Sequence, residues 1–311
     1  MTSETAFIDS LRALATHPAA RGLYDDAAVL EVGGETLVLT HDMIAEGVHF
    51  LADDPPGDVA WKLVAVNLSD LAAKGARPLG ALLGFTLGEK GWDRAFAEGL
   101  AAALAAFGLP LLGGDTVSAP ARLLGLTAIG RAAGPVPSRT GARPGDQLWV
   151  SGAIGDAGAG LRALRGELAH SDALIERYRC PRPRLEAGER LAPIVSAMMD
   201  VSDGLLIDAA RLAAASACGI DLALDSVPLS ETYLAACGEA RLEAATAGDD
   251  YELLFTAPPD AAPALLALAE ELGLPFSRIG VCVDGAGLAL SEGGGPVPLP
   301  PRLGFEHGTN G

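Results

Sequence analysis

Apolar positions along the chain follow two periods, and the switches between them mark out helices and strands. Residues 4–17 carry a helical pattern. Two short runs, 28–32 and 36–40, flank a Gly33–Gly34 turn and read as paired strands. A long apolar segment follows, with Asp58 as a candidate cap, Lys74 as its last residue and Gly75 as its stop. Residues 79–86 read as a strand, 93–107 as a helix, and 110–112 and 123–131 as further strands. The pattern then breaks at residues 133–146, AGPVPSRTGARPGD, where Pro, Gly and polar residues dominate. This predicts two domains, 1–134 and 135–311. The second half resumes with a strand at 147–150, a Gly-rich turn and a helix at 156–165, and it alternates to about residue 290. Alternating strands and helices predict an α/β class with layered sheets in both halves. The Gly/Pro-rich tail from Gly293 is expected to be irregular.

Composition narrows the chemistry. Half of the 311 residues are apolar, enough to bury a large core, while 22 basic residues oppose 40 acidic ones for a net charge of −18. Only Lys62, Lys74 and Lys90 supply lysine. A chain this acidic repels nucleic-acid backbones and anionic membranes, so neither is an expected partner. Any phosphate-bearing ligand must be met by cations, backbone N–H groups or a few arginines. The four cysteines, Cys180, Cys218, Cys237 and Cys282, form no C-x-x-C pair, which excludes the usual zinc and thioredoxin-like patterns. Inert reduced thiols and the absence of a basic, apolar leader predict a cytoplasmic protein. The longest uncharged stretch, 99–114, is interrupted by Gly108 and Pro110 and is too short to span a membrane.

Familiar nucleotide motifs are missing. There is no G-x-x-x-x-G-K-[ST], no H-R-D with D-F-G, no H-E-x-x-H and no G-x-S-x-G. The turn SGAIGDAGAG at 151–160 looks like a dinucleotide loop, but its spacing differs from G-x-G-x-x-G and no acid-terminated second strand follows. Tight strand–helix packing is the better reading of these glycines.

What stands out is the placement of aspartates. Asp42 closes LVLTHD, Asp115 closes LPLLGGD, Asp200 and Asp203 close SAMMDVSDG, Asp249 and Asp250 follow AATAG, and Asp25 and Asp26 precede AAVL. Carboxylates at strand ends can converge on one sheet edge, where hard oxygen ligands suit Mg²⁺. Asp70 lies in WKLVAVNLSDLAAKG, and as a helical residue it shares a face with Leu63, Val66 and Asn67. An exposed Asp70–Lys74 pair at i,i+4 spacing is the competing reading. Converging acids repel one another, and cations offset that repulsion. The pattern therefore reaches a multi-metal site and no further.

At these same residues the chain resembles the thiamine-monophosphate kinase family, part of a superfamily with aminoimidazole ribonucleotide synthetase, selenophosphate synthetase and a hydrogenase maturation protein. The similarity runs through DDAAVL (25–30), LTHDMIAEGVHF (39–50), KLVAVNLSDLAAKGARP (62–78), LLGGDT (111–116), SRTGARPGD (138–146), VSGAIGDAGAGL (150–161), MDVSDGLLID (199–208) and GDDYELLF (248–255). The resemblance implies a two-domain α/β protomer whose N-terminal sheets pair into a barrel across a homodimer. It implies ATP in the cleft between domains and direct in-line transfer of a phosphoryl group to thiamine monophosphate, giving thiamine diphosphate, with several Mg²⁺ ions. By position, Asp26, Thr40, Asp42, Asp70, Asp115, Asp200 and Asp203 match metal ligands, with Asp42, Asp115 and Asp203 at the reacting groups. Gly114, Asp115, Arg139 and Ser202 match ATP contacts, and His49, Asp249 and Phe305 match contacts to thiamine monophosphate.

Three departures from the family pattern bear on the site. Tyr24 replaces a glycine of G-I-G-D-D, His41 stands at a small hydroxyl position, and Asp249 replaces a glutamate. Selenophosphate synthetase is excluded because the first cysteine is Cys180 and the first lysine is Lys62. The hydrogenase maturation protein is excluded by the lack of a terminal cysteine. Aminoimidazole ribonucleotide synthetase stays open, as does a nucleotide-binding module without turnover.

Overall fold

The computed structural model describes residues 4–307. The first unit contains α1 (Glu4–Arg12), β1 (Ala28–Val32), β2 (Glu35–Ala45), α2 (Pro56–Ala73), β3 (Arg77–Leu87), α3 (Lys90–Phe107), β4 (Leu111–Ser118) and β5 (Leu123–Ala132). Its strands form one open sheet in the order β1-β2-β5-β3-β4. Every pairing is antiparallel except β3–β4, which α3 connects as a crossover.

The second unit follows as β6 (Gln147–Ser151), α4 (Asp156–Leu164), α5 (Asp172–Arg179), α6 (Leu185–Leu191), β7 (Ala197–Val201), α7 (Leu205–Ser216), β8 (Gly219–Ala223), α8 (Glu231–Cys237), α9 (Arg241–Thr246), β9 (Glu252–Ala257), α10 (Ala262–Leu272), β10 (Phe276–Val283), β11 (Gly287–Glu292) and β12 (Gly295–Val297). These strands form a mixed sheet ordered β12-β11-β8-β10-β6-β9-β7, in which β11–β8 is the parallel pair. Residues 298–307, the described part of the tail beyond β12, have no regular element, as expected, although β11 and β12 make a hairpin across Gly293–Gly294.

Several elements differ from the sequence expectation for physical reasons. The first helix stops at Arg12, and a 3-10 turn over Pro18–Leu23 takes its place, because proline opens a new turn there. Strand β2 is longer than predicted. Thr40 and Ile44 are buried while His41 and Met43 are exposed, so the period of two continues through Ala45. Strand β4 also runs on to Ser118. Asp42 and Asp115 therefore lie inside strands rather than at their ends. Asp58 makes no cap; α2 starts with Pro56 in its first turn, where a missing N–H costs nothing.

Helix α2 organises the molecule. Fourteen of its residues are buried, including the polar Lys62, Asn67, Ser69 and Asp70. One side covers the inner face of the first sheet, where Leu63, Val64, Leu68 and Leu71 meet Val38, Ile44, Leu124 and Leu126. Another side meets the second unit at α6, closely enough that a Cβ on Gly188 would lie 1.9 Å from the Ala72 carbonyl. A helix buried all round carries polar residues only where each has a partner, and those partners are the site residues below. The other face of the first sheet is uncovered: every residue of β4 is exposed, and Met43, Leu82, Leu112, Val117 and Leu123 present apolar side chains there. No helix among the described residues is long and apolar enough to cross a membrane.

Candidate active site

A cleft of about 880 Å³ opens between the two units. Asp26, Asp42, Asp70, Arg139, Asp200, Ser202, Asp203, His49, Asp249 and Phe305 all line it. Ten of the thirteen residues named from the sequence thus meet at one place. Thr40 stands behind the wall, its hydroxyl donating to Asp70. Gly114 and Asp115 do not reach the cleft within one chain. They sit on β4, where the Asp115 carboxylate accepts from the Thr116 N–H at 2.9 Å.

The carboxylates are held by α2 and by one another's neighbours. One oxygen from each of Asp26, Asp70 and Asp200 lies within 4.8 Å of the others. Ser69 donates to Asp200 at 2.6 Å, and the Asn67 side chain accepts from the Asp42 N–H at 2.9 Å. Burial pushes the Asp200 carboxyl up to about 8, and the negative charge of Asp26 adds to the shift. Burial, then Asp26 and Asp203, raise Asp42 to about 6. Asp70 is raised well above the usual range by burial and by Asp42, Asp200 and Asp26. Asp26 is the exception. Burial would raise it, but Arg139 and Lys74 outweigh that cost and hold it at about 2. Its buried Oδ2 is met by the Lys74 ammonium at 2.6 Å. Buried hard oxygens of Asp26, Asp70 and Asp200 that converge and repel one another fit a divalent cation such as Mg²⁺.

The second unit supplies the rest through the loop after β7. Asp208 accepts from the N–H groups of Ser202, Asp203 and Gly204 at 3.1, 3.1 and 3.2 Å, which fixes that loop at the start of α7. Arg211 then bridges Asp203 at 2.5 Å and Asp208 at 2.9 Å. The Asp203 carbonyl accepts from Phe305 N–H at 2.9 Å, which ties the C-terminal tail to the cleft. Phe305 packs edge-on to His307, whose ring centroid lies 5.3 Å from that of His49. Burial lowers the His49 pKa and Asp249 opposes the shift, while its Nδ1 accepts from Ala45 N–H at 3.1 Å. Asp249 itself has φ +70°, a conformation costly for a side-chain-bearing residue. Lys62 at 3.0 Å and the Tyr251 hydroxyl at 3.0 Å hold its carboxylate.

Each departure from the family pattern now has a location. Tyr24 lines the cleft, and its backbone is ordinary (φ −105°, ψ −2°), so it does not strain the turn. The positive φ values fall instead on Arg21 and Leu23, and Arg12 stacks on the Tyr24 ring. His41 points away from the cleft, with Nδ1 2.9 Å from Thr127 Oγ1. The exposed Asp70–Lys74 pair does not form. Lys74 is fully buried and reaches Asp25 and Asp26 instead. Sequence reasoning missed Lys62, Lys74, Asp208, Arg211 and Tyr251. The available signal was that two of only three lysines lie on one apolar helix, where a charge needs a partner.

The paired sheets and the interdomain carboxylate cleft define a class: residues 24–132 match the model of the AIR synthase related protein N-terminal domain, and residues 143–292 match that of its C-terminal domain. A thiamine-monophosphate kinase of Caulobacter vibrioides is 42% identical over 304 residues, covering 94% of this chain and 86% of its own. That of Salmonella typhimurium is 39% identical, covering 92% and 91%. The solved structure of AaThiL complexed with AMPPCP and TMP superposes with a TM-score of 0.85 at 30% identity, covering 98% of this chain and 97% of that one. Within its class the chain belongs to the thiamine-monophosphate kinase family.

Proposed function

We propose that this protein uses ATP to phosphorylate thiamine monophosphate, yielding thiamine diphosphate and ADP by direct in-line transfer. One observation carries the reading: a single cleft gathers Asp26, Asp42, Asp70, Asp200 and Asp203 beside His49, Asp249 and Phe305. The first group is built for phosphates and cations, the second for an aromatic cation. The likeness to a kinase complexed with AMPPCP and TMP supports the same pairing of ligands.

Phosphoryl transfer depends on alignment and on neutralising charge more than on covalent help. Bound Mg²⁺ ions held by Asp26, Asp42, Asp70, Asp200 and Asp203, with Thr40 behind them and Asp115 added, would supply charge neutralisation between two phosphorylated substrates. Arg139 gives Asp26 its Nε and Nη2 edge, which leaves Nη1 donors for phosphate oxygens. Ser202 and Gly114 would position ATP. Phe305 offers a ring face for thiamine, and Asp249, fixed by Lys62 and Tyr251, offers a charge for its cationic or amino groups. His49 borders the same end of the cleft.

Asp115 and Gly114 enter this scheme through a second copy. The uncovered apolar face and the unpaired edge β4 suit a homodimer in which the two N-terminal sheets close a barrel, and this would bring each Asp115 to the partner's cleft. A cytoplasmic setting suits the four free thiols, all raised by burial. Mixing protein, ATP, Mg²⁺ and thiamine monophosphate should yield thiamine diphosphate. Nucleotide binding without product would instead favour a module that has lost turnover.

A further inference from the structure

We propose that Lys74 is a resident cation of the carboxylate cluster, its ammonium standing on Asp26 where a further metal ion would otherwise bind. The idea rests on the cluster being a metal site and adds a limit on how many ions it takes.

Lys74 caps the C-terminal end of α2 and has no exposed surface. Its Nζ lies 2.5 Å from Asp25 Oδ1, 2.6 Å from Asp26 Oδ2 and 3.2 Å from the Met198 carbonyl. Asp25 Oδ1 and the Met198 carbonyl accept hydrogen bonds from the ammonium, and Asp26 Oδ2 pairs with it by charge. The contact with Asp26 Oδ2 is an ion pair outside hydrogen-bonding geometry, so the ammonium acts there as a point charge. Mg²⁺ binds carboxylate oxygen at about 2.0–2.1 Å. A second cation cannot approach the same side of that oxygen without meeting the ammonium.

Charge is distributed to match. Asp25 and Asp26 face three protein cations, Arg21, Arg139 and Lys74. Among the described residues, Asp70 and Asp200 accept hydrogen bonds from the hydroxyls of Thr40 and Ser69, and no ion pair reaches Asp70, Asp200 or Asp42. The charge still to be neutralised therefore lies on Asp42, Asp70 and Asp200. Metal ions gather at that side, Asp26 joining them only from the face turned away from the ammonium, and Lys74 serves the Asp25–Asp26 corner.

Counting bound Mn²⁺ by electron paramagnetic resonance, without nucleotide, tests this in wild type and Lys74→Met. The variant should bind about one more Mn²⁺ per chain and gain more in Tm from Mn²⁺ than wild type. Equal stoichiometry together with an equal Tm gain overturns the role of Lys74. If Lys74→Met does not fold, the Asp25→Asn/Lys74→Met double variant removes both charges of the pair and is read the same way. Mn²⁺ bound by neither protein overturns the metal reading itself, and this proposal with it.

Discussion

At the scale of single residues, the site is a set of charges whose cost is offset by unlike means. Asp26 is kept ionised by Arg139 and Lys74, whereas Asp42, Asp70 and Asp200 are raised by burial and mutual repulsion. The sign of their effect on stability follows directly. A carboxyl raised from 3.8 to about 6 or about 8 binds more protons folded than unfolded within that interval. Stability of the metal-free protein should therefore fall as pH rises from about 4 to about 8. The Asp26 shift has the opposite sign and acts only below its unfolded value of 3.8. Thermal melts in chelator between about pH 5 and about pH 8 should show this decline, and added Mg²⁺ should remove most of it; a flat profile in chelator would contradict it. Asp42→Asn should lower kcat about 100-fold at saturating Mg²⁺, or about 3 kcal/mol of transition-state stabilisation. Turnover near wild type would remove Asp42 from the reacting groups.

At the scale of elements, α2 is where packing and chemistry meet. Ser69, Asn67, Lys62 and Lys74 project from one helix to Asp200, the Asp42 backbone, Asp249 and the Asp25–Asp26 pair. Its placement against α6 depends on Gly188. A methyl group there meets the Ala72 carbonyl backbone, which has no side-chain freedom to yield. Gly188→Ala should cost about 1–3 kcal/mol through overpacking. Because the helix carries both halves of the site, activity should fall with stability. Denaturant unfolding checks the first effect, and unchanged midpoint and rate would show that α2 and α6 tolerate separation. The glycines of residues 151–160 fit the same logic: a Cβ on Gly160 would lie 2.1 Å from the Leu174 carbonyl, so the turn packs α4 on α5.

At the scale of the whole molecule, one chain assembles most of a site but leaves Asp115 outside it. The proposed homodimer would pair copies through the exposed sheet face, which carries Asp115. If the partner supplies Asp115, inactive Asp42→Asn and Asp115→Asn proteins should complement on mixing, because half of the dimers would be hybrid and each hybrid would hold one intact site. Recovery of about a quarter of wild-type activity is expected at full exchange. No recovery, with sedimentation showing that subunits do exchange, would place Asp115 in its own chain's cleft.

The sequence by itself was enough for the order of most elements and for naming the aspartates that line the cleft. Periodicity is local, and Asp42, Asp70 and Asp200 stand out because charges interrupt apolar runs. Strand length was legible only in part, since Asp42 and Asp115 look like termini until pairing with β5 and β3 extends β2 and β4 past them. Tertiary structure alone decided which charges meet. Lys74 has Asp70 as its sequence neighbour, yet the fold turns its ammonium toward Asp25 and Asp26, 49 and 48 positions earlier in the chain. Asp208 and Arg211 likewise gain their roles from a loop they brace. Burial makes an unpaired charge expensive, and only the folded chain determines which partner is within reach.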